Sequence, residues 1–376
     1  MASNFGVNVR TSVNAARPMR IESITPIGVV GTCQGMETGL HFFGNAGKAK
    51  EKIAELNSNI GTILAALDDI DDQGVLSPVI ISIAENSEDA AALKSSIIEA
   101  VGLLKKAQSE LGYTPNLIVA PEFSDDVDIT AEMQVVAERL RATAVIDLNK
   151  DKEDDVVTAV KSFGSKRVLL CDPYVKVWDS IENKEKFRPM SARIAGMIAK
   201  TDGEWEYGFA DSFSNRVMLG ISGTKRSIGF TPGETCEADR LRTSGVTSII
   251  RYKGFRAWGG ETTDTDSIWQ NLTRVRIFDR VCNAALDGLF WAIDRRADIL
   301  KSAKDSVEQM MLALKGSDVL LGFNVYWDPD KNTKANITAG KFYMVAEMQD
   351  MPIVKRLEVN FSYVDRYGDI LLKEIA

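Results

Sequence analysis

Short apolar runs alternate with helix-length amphipathic stretches from residue 24 to residue 172, and this alternation restricts the possible folds more than any other feature. The apolar runs are 27–31, 78–84, 116–120, 143–147 and 167–171, and the helical stretches are 46–67, 89–111, 129–141 and 153–163. Strands that are apolar throughout, and are separated by helices, are typical of a parallel sheet covered on both faces. We therefore predict an α/β region with a largely parallel sheet, doubly wound through right-handed crossovers.

Carboxylates follow three of these apolar runs, at the edge of a parallel sheet where ligands usually bind. They are Glu122, Asp147 and Asp172. One interpretation is a cluster that binds a divalent cation in a cytoplasmic α/β enzyme or nucleotide-binding protein. The other is structural, because Asp and Pro after a strand also form tight turns and cap the next helix. The structural interpretation is favoured.

Counting residues excludes several classes of site. The only histidine is His41, so a zinc site that needs two imidazoles cannot form, and no catalytic or metal-binding residue is assigned. No glycine-rich phosphate motif is present, and the glycines of 220–229 are spaced as a turn rather than as a phosphate loop. The four cysteines are widely separated and are expected to be reduced thiols. No cofactor is expected.

Charge and hydropathy limit the compartment in which the protein is expected to be made and the classes of partner it is expected to bind. The formal net charge of −8 argues against a nucleic-acid binder, for which a basic surplus is usual. No apolar run is long enough to span a bilayer, so direct membrane insertion is not expected. Residues 1–10 lack the apolar core of a secretory signal, which favours synthesis in the cytoplasm.

The stretch 247–280 has the densest mixture of aromatic and arginine residues in the chain. Aromatic rings supply packing area, and guanidinium groups stack or pair at the edges of such surfaces. This composition is common at seams between domains of one chain and at surfaces between subunits, and both interpretations remain open. The candidate seam residues are Arg251, Trp258, Glu261, Trp269, Arg274 and Arg276.

The C-terminal part follows a different pattern, because at 376 residues the chain is long enough for a second domain. Apolar residues at helical spacing predict helices over 279–296 and 301–314. Strand-like stretches follow at 319–327, 341–348 and 353–363, the last with strict alternation. This arrangement predicts an α+β domain, with a helix pair on a mixed or antiparallel sheet. A small-residue helix is also predicted over 187–199.

Both termini also carry strand-like segments set off by turn or breaker residues. Residues 5–13 alternate around Phe5, Val7 and Val9, and the final residues 369–376 include the run Ile370, Leu371 and Leu372. A terminal strand pairs either within its own domain or with the sheet edge of another chain. The first segment taken alone favours pairing within the chain, because ordering a free arm costs entropy. Two such ends make exchange between subunits more plausible.

Several segments together resemble the tail sheath protein of contractile phages and phage-derived bacteriocins. They are the small-residue run Ser191–Asp202, the run 245–254, the 256–262 turn with its Trp-Gly-Gly-Glu-Thr, and 277–281. The similarity extends over most of the chain, and the order and spacing of these segments are more specific than any one of them.

The resemblance implies a structural, non-enzymatic subunit that polymerises helically around a tail tube and contracts to drive the tube through a target cell envelope. It implies terminal arms that complete sheets in neighbouring subunits, and partners in the tail tube, baseplate and tail terminator proteins. The expected division is an arm at 1–20, an outer α/β domain at 21–270, a tube-facing α+β domain at 271–363 and an arm at 364–376. Lys301 and Lys304 are candidate tube contacts, or alternatively part of a solvated helix face.

Overall fold

A computed structural model describes residues 17–56, 60–179, 183–365 and 367–375. The predicted strand at 5–13, with Phe5, Val7 and Val9, lies outside these residues. The strands are β1 (Ile27–Thr32), β2 (Gly39–Phe43), β3 (Val79–Ala84), β4 (Leu117–Val119), β5 (Thr143–Asp147), β6 (Val168–Cys171), β7 (Val175–Asp179), β8 (Lys184–Arg188), β9 (Gly223–Thr224), β10 (Val246–Arg251), β11 (Phe255–Trp258), β12 (Leu320–Trp327) and β13 (Met344–Asp350).

The helices are α1 (Ala46–Glu55), α2 (Ile63–Asp71), α3 (Ala90–Leu103), α4 (Ala107–Leu111), α5 (Val127–Leu140), α6 (Glu153–Val160), α7 (Ser191–Asp202), α8 (Glu237–Thr243), α9 (Leu272–Leu289), α10 (Leu300–Gly316), α11 (Lys334–Thr338) and α12 (Gly368–Ile375). Within the described ranges, no helix combines the length and the hydropathy that crossing a bilayer requires.

One eight-stranded sheet, in the order β11-β10-β6-β5-β4-β1-β3-β2, forms the main body. Its inner pairs are parallel, whereas β2 and β11 add to the two edges antiparallel. The predicted α/β class with a largely parallel sheet is therefore confirmed. Smaller antiparallel sheets, β8-β7-β9 and β12-β13, accompany it.

Separate hydrophobic cores cover the two faces of the large sheet, because successive strand side chains point to opposite sides. Ile27 and Val29 of β1 join the core on one face, while Val30 joins the core on the other. Helix α7 is buried along nearly its whole length in the first core. Both faces of β1 and β3 are fully covered, which explains why their sequences are apolar throughout.

Two predicted helix boundaries are wrong, for local reasons. The helix expected over 187–199 begins only at Ser191, because Phe187 belongs to β8 and pairs with Lys176 of β7. The helix expected over 279–296 is α9, which begins at Leu272. The Asn271 side chain accepts hydrogen bonds from the backbone N–H groups of Thr273 (3.0 Å) and Arg274 (3.4 Å) and so caps α9.

Helices α9 and α10 pack with β12 and β13 around a third hydrophobic core, to which Ile277, Val281, Met311 and Leu314 contribute. The strand predicted over 353–363 is wrong for the isolated chain. The Met351 N–H donates to the Val319 carbonyl (2.9 Å), and residues 352–365 then form no helix or strand. Alternation indicates which side chains share a face, but it does not supply the neighbouring strand that would pair the backbone.

The predicted C-terminal strand at 369–376 is also wrong as a description of the isolated chain, because Ile370, Leu371 and Leu372 lie in α12. A helix pairs its backbone groups within one segment, whereas a lone strand leaves them unpaired. Asp369 in the first turn and Lys373 in the last turn are placed favourably for the helix dipole.

Candidate functional site

Asp147, at the end of β5, is completely engaged by its own protein. Its Oδ1 accepts hydrogen bonds from the backbone N–H groups of Met190 (2.8 Å) and Ser191 (2.9 Å), at the start of α7. The side chain is 1% exposed, and burial raises its pKa to about 6. A buried carboxylate that caps a helix performs a structural task and has no oxygen facing a cleft.

Asp172 and Glu122 do not complete a cation site with Asp147. Asp172 accepts hydrogen bonds from the Lys150 N–H (2.9 Å) and from an Arg226 guanidinium nitrogen (2.6 Å), and burial raises its pKa. Glu122 is exposed on a turn, with a positive φ of 71°. No group of three metal-ligating side chains suited to an ion occurs among the described residues. These positions favour the turn-and-cap interpretation over an enzyme site.

A buried charge cluster centred on Asp202 joins α7 to α9. Asp202 is 0% exposed and accepts hydrogen bonds from both terminal nitrogens of Arg276, from Arg280 and from the Thr25 hydroxyl. Burial lowers the pKa of Arg280, which also donates to the Ile24 carbonyl (2.9 Å). A buried carboxylate shared by two guanidiniums holds three segments of the chain in one geometry.

Two further ion pairs fix α9. Its Asp279 pairs with Arg167 at the start of β6, and both side chains are largely buried. Arg274 donates to the Asp350 carboxylate (2.7 Å) at the end of β13. Ion pairs thus join α9 to the large sheet on one side and to the β12-β13 sheet on the other. Arg274 and Arg276, two of the predicted seam residues, make these contacts within a single chain.

The other predicted seam residues lie around the edge strand β11. Trp258 donates from its Nε1 to Asp239 (3.2 Å) and packs edge-on against the Phe230 ring at 5.1 Å between centroids. Glu261 accepts from the Nε and an Nη of Arg242 at 3.0–3.1 Å and also pairs with Lys355 (2.9 Å). The contact with Lys355 holds the start of the segment 352–365 against the large sheet and its helices.

Trp269 and Arg251 are less enclosed. Trp269 packs edge-on against Phe278 at 5.1 Å, and the Lys166 ammonium lies 4.5 Å from its ring centroid. Arg251, exposed at the end of β10, lies 5.5 Å from the Phe255 ring. Sequence reasoning found these aromatic and arginine residues but missed their carboxylate partners. The sequence signal that points to a shared carboxylate partner is the spacing of Arg276 and Arg280, which lie four residues apart on one helix face.

The most unusual exposed surface is the segment 352–365, referred to here as the terminal segment. Phe361 is 91% exposed and Tyr363 is 92% exposed, while Leu357 is 79% exposed. The segment leaves β13, which with β12 forms a sheet of only two strands. Two-stranded sheets are marginally stable in water, and a large exposed apolar patch is a candidate interaction surface.

The candidate tube contacts lie on α10, whose buried face includes Val307 and Met310. Lys301 is exposed, and Lys304 pairs with Glu308 at 3.0 Å one helical turn away. Both ammonium groups therefore belong to the outward side of the helix. Exposed ion pairs of this kind contribute little to stability and break readily.

Comparison with known families identifies a match to the central domain of the phage tail sheath protein over residues 75–263. A putative prophage major tail sheath protein of Pseudomonas aeruginosa (strain UCBPP-PA14) is 36% identical over 311 residues, which cover 79% of this chain and 80% of that protein. The tail sheath protein of Escherichia phage P2 is 25% identical over 325 residues, covering 82% and 81% of the two chains.

Solved structures show the same architecture. The sheath of an extracellular contractile injection system (PVC) in the contracted state has a TM-score of 0.73 at 14% identity, covering 97% of this chain and 99% of that chain. The helical sheath of the anti-feeding prophage in the contracted state has a TM-score of 0.70 at 19% identity, covering 96% and 99%. At these identities the likeness shows a shared fold.

Proposed function

Because the chain belongs to the phage tail sheath family, we propose that it is the repeating subunit of a contractile sheath that polymerises helically around a tail tube. The match of the family's central domain to residues 75–263 carries this conclusion. Contraction drives the tube through the envelope of the target cell. The alternative of an α/β enzyme has no support in these comparisons, and two of the three carboxylates it needs, Asp147 and Asp172, already pair with groups of their own chain.

Contraction of such a sheath is a rearrangement of rigid subunits. The buried cores and the ion pairs of α9 keep each subunit intact while subunits change neighbours. Interfaces that join different surfaces of successive copies do not close on themselves and so build a filament. We assign the free energy of contraction to better side-by-side packing of the outer α/β domains, residues 21–270, with no nucleotide consumed.

The terminal segments connect the subunits in this proposal. The exposed alternation of 352–365 and the two-stranded β12-β13 sheet suit strand addition, in which a segment of one copy pairs with the sheet edge of the next. Phe5, Val7 and Val9 of the N-terminal arm would pair in the same manner. Ile370, Leu371 and Leu372 would follow the donated segment as part of the arm at 364–376. Main-chain pairing of this kind can persist while the domains rotate.

The remaining partners follow from the position of the domains in this proposal. Residues 271–363 face the tail tube, and Lys301 and Lys304 on α10 form a weak contact that releases on contraction. The baseplate and the tail terminator bind the two ends of the sheath. The subunit is made in the host cytoplasm and functions in the tail of a virion or of a bacteriocin-like particle.

Electron microscopy of the purified chain in negative stain tests the proposal. We expect hollow helical tubes from the full chain, and no tubes from variants that lack residues 1–16 or end at Met351, a truncation that removes the segment 352–365 and the arm that follows it. Tubes that survive both truncations would retain the sheath function but contradict the exchange of arms. Compact particles under several salt conditions would contradict the sheath function itself.

A further inference from the structure

A cavity of about 500 Å³ opens between the large sheet and α9. Its wall includes Pro26 and Asn116, which immediately precede β1 and β4. It also includes Arg141, which lies two residues before β5. These strands are parallel neighbours, so the cavity lies at the end of the sheet where they begin. Ligands of parallel sheets usually bind at the opposite end.

Three guanidiniums surround the cavity mouth: Arg20, Arg139 and Arg141. Among the described residues, none of them has a carboxylate within ion-pair distance, and Arg141 makes only a long contact of 3.5 Å with Asn283. The lining also contains Glu22 and Asp287. The buried Arg280 below them is balanced by Asp202. The mouth thus presents three exposed or half-exposed arginines against two carboxylates.

At the other end of the same sheet, carboxylates gather at the start of α6, beside Lys150 and Lys152. The first turn of α6, which follows β5, contains Glu153, Asp154 and Asp155, and Asp151 precedes it. Glu153 pairs with Arg240 and Asp151 pairs with Lys225, whereas Asp154 and Asp155 are exposed with no ion-pair partner in the described chain. Acidic side chains at helix starts and basic ones at helix ends are favoured by the helix dipole. The start of α6 therefore offers two carboxylates that are unpaired in the described chain, Asp154 and Asp155, at the end of the sheet opposite the three arginines.

We propose that the arginine mouth, Arg20, Arg139 and Arg141, docks the acidic first turn of α6, with Asp154 and Asp155, from a second copy of this chain. In a head-to-tail contact the arginines of one copy meet the carboxylates at the opposite end of the next copy. Such a contact is heterologous and continues from copy to copy, as a helical filament requires. The chain's own residues 1–16 contain no Asp or Glu, so they do not supply the complementary charge.

This inference rests on the proposed sheath function and adds a surface to it. It differs from the exchange of terminal arms because the contact is made by side chains on the rigid bodies of two copies. It therefore depends on ionic strength, since exposed charges are screened within about 8–10 Å at physiological salt.

Charge reversal at the two ends tests the contact, with tube formation in negative stain as the readout. We expect Arg20→Glu with Arg139→Glu to abolish tubes, and Asp154→Lys with Asp155→Lys to abolish them as well. All four changes in one chain should restore tubes. A matched control combines the two arginine reversals with Glu234→Lys and Asp330→Lys, which restore the net charge at exposed positions elsewhere and should not restore tubes.

Thermal unfolding of each unassembled variant separates loss of contact from loss of fold: we expect one cooperative transition in every case, lowered slightly where lysines replace Asp154 and Asp155 in the first turn of α6. The inference is overturned if either double reversal still forms tubes as the wild type does, or if the four changes together are no better than the arginine pair alone. Restoration by the control would equally overturn it, because net charge would then explain the effect. Failure of the wild type itself to form tubes would contradict the sheath function, and this inference with it.

Discussion

The large sheet and the terminal segment show opposite relations between sequence and burial. In β3, Val79, Ile80 and Ile81 are all 0% exposed, with covered faces on both sides and paired strands at both edges. In the terminal segment, Phe361 and Tyr363 are more than 90% exposed, although their residue types are equally suited to a sheet. The body therefore buries its apolar strands within one chain, whereas the terminal segment leaves its apolar side chains in water.

Helix α9 forms ion pairs with the large sheet and with the end of β13, from which the terminal segment leaves. Asp202 and Asp279 attach it to the body through buried arginine pairs, while Arg274 attaches it to the hairpin through a half-exposed guanidinium. Breaking a buried pair leaves an uncompensated charge in a poorly hydrated site, which costs more than loss of an exposed pair.

The largest effect is expected for Asp202→Asn, which leaves Arg276 and Arg280 buried without a carboxylate. We expect the free energy of unfolding to fall by about 3–5 kcal/mol in urea titrations. Asp298→Asn serves as the control, because its pair with Arg296 is highly exposed and its loss should cost less than about 1 kcal/mol. Equal losses of unfolding free energy in the two variants would contradict the claim that the buried pairs of Asp202 stabilise the chain more than an exposed ion pair does.

The next prediction compares the two regions directly. Ile81→Ala should destabilise the unassembled chain by about 2–5 kcal/mol, because it leaves a cavity in a close-packed core. Phe361→Ala should change the unfolding free energy by less than about 0.5 kcal/mol, because the ring is already in water. A large loss of stability in the Phe361 variant would mean that the terminal segment packs within its own chain.

A smaller effect is expected in the pH dependence of the body. Burial raises the pKa of Asp147 to about 6 from its ordinary 3.8, so the folded chain holds this proton more tightly than the unfolded chain does. The resulting stability is fully present below about pH 3.8 and is lost as the pH rises through about 6.

Asp147→Asn keeps an oxygen that can cap α7 but cannot ionise. Between pH 5 and pH 7.5, the wild type should therefore lose about 1 kcal/mol of stability relative to this variant. Urea titrations of both chains at the two pH values measure the difference. An identical pH dependence of the two chains would show that Asp147 does not titrate in this range.

The smallest change in unfolding free energy is expected at the ion pair between the terminal segment and the large sheet's edge. Lys355 is half exposed and pairs with Glu261, so Lys355→Ala should cost only about 0.2–1 kcal/mol. The effect should disappear in about 1 M salt, where exposed charges are screened over about 3 Å. A larger loss that persists in high salt would indicate that this contact holds the segment by packing rather than by charge.

The main sheet was predictable because burial on both faces requires continuous apolar runs, as in residues 78–84 and 143–147. The edge strand β2 was missed because its residues are only half buried and carry no clear alternation. The early start of α9 depends on Asn271, whose capping role is evident only once the backbone direction is known.

The candidate site was less predictable, because one residue type serves several purposes. An aspartate after a strand is compatible with a metal ligand or a helix cap, and only the two N–H groups on Asp147 distinguish them. Alternation over 353–363 indicates which side chains share a face, but the described chain supplies no neighbouring strand to pair with this segment. The apolar residues at 370–372 fit a strand or a helix equally, and without a partner strand the helix satisfies the backbone.

Hydrogen exchange of the terminal segment, measured in the unassembled chain and in assembled tubes, tests the central claim most directly. Amide protons gain protection when strand pairing orders them and lose it when they remain in water. The account predicts rapid exchange of the 353–363 amides in the single chain and strong protection in the tubes, with little change in β3. Equally rapid exchange of 353–363 in both states would contradict the claim that a neighbouring subunit completes this segment.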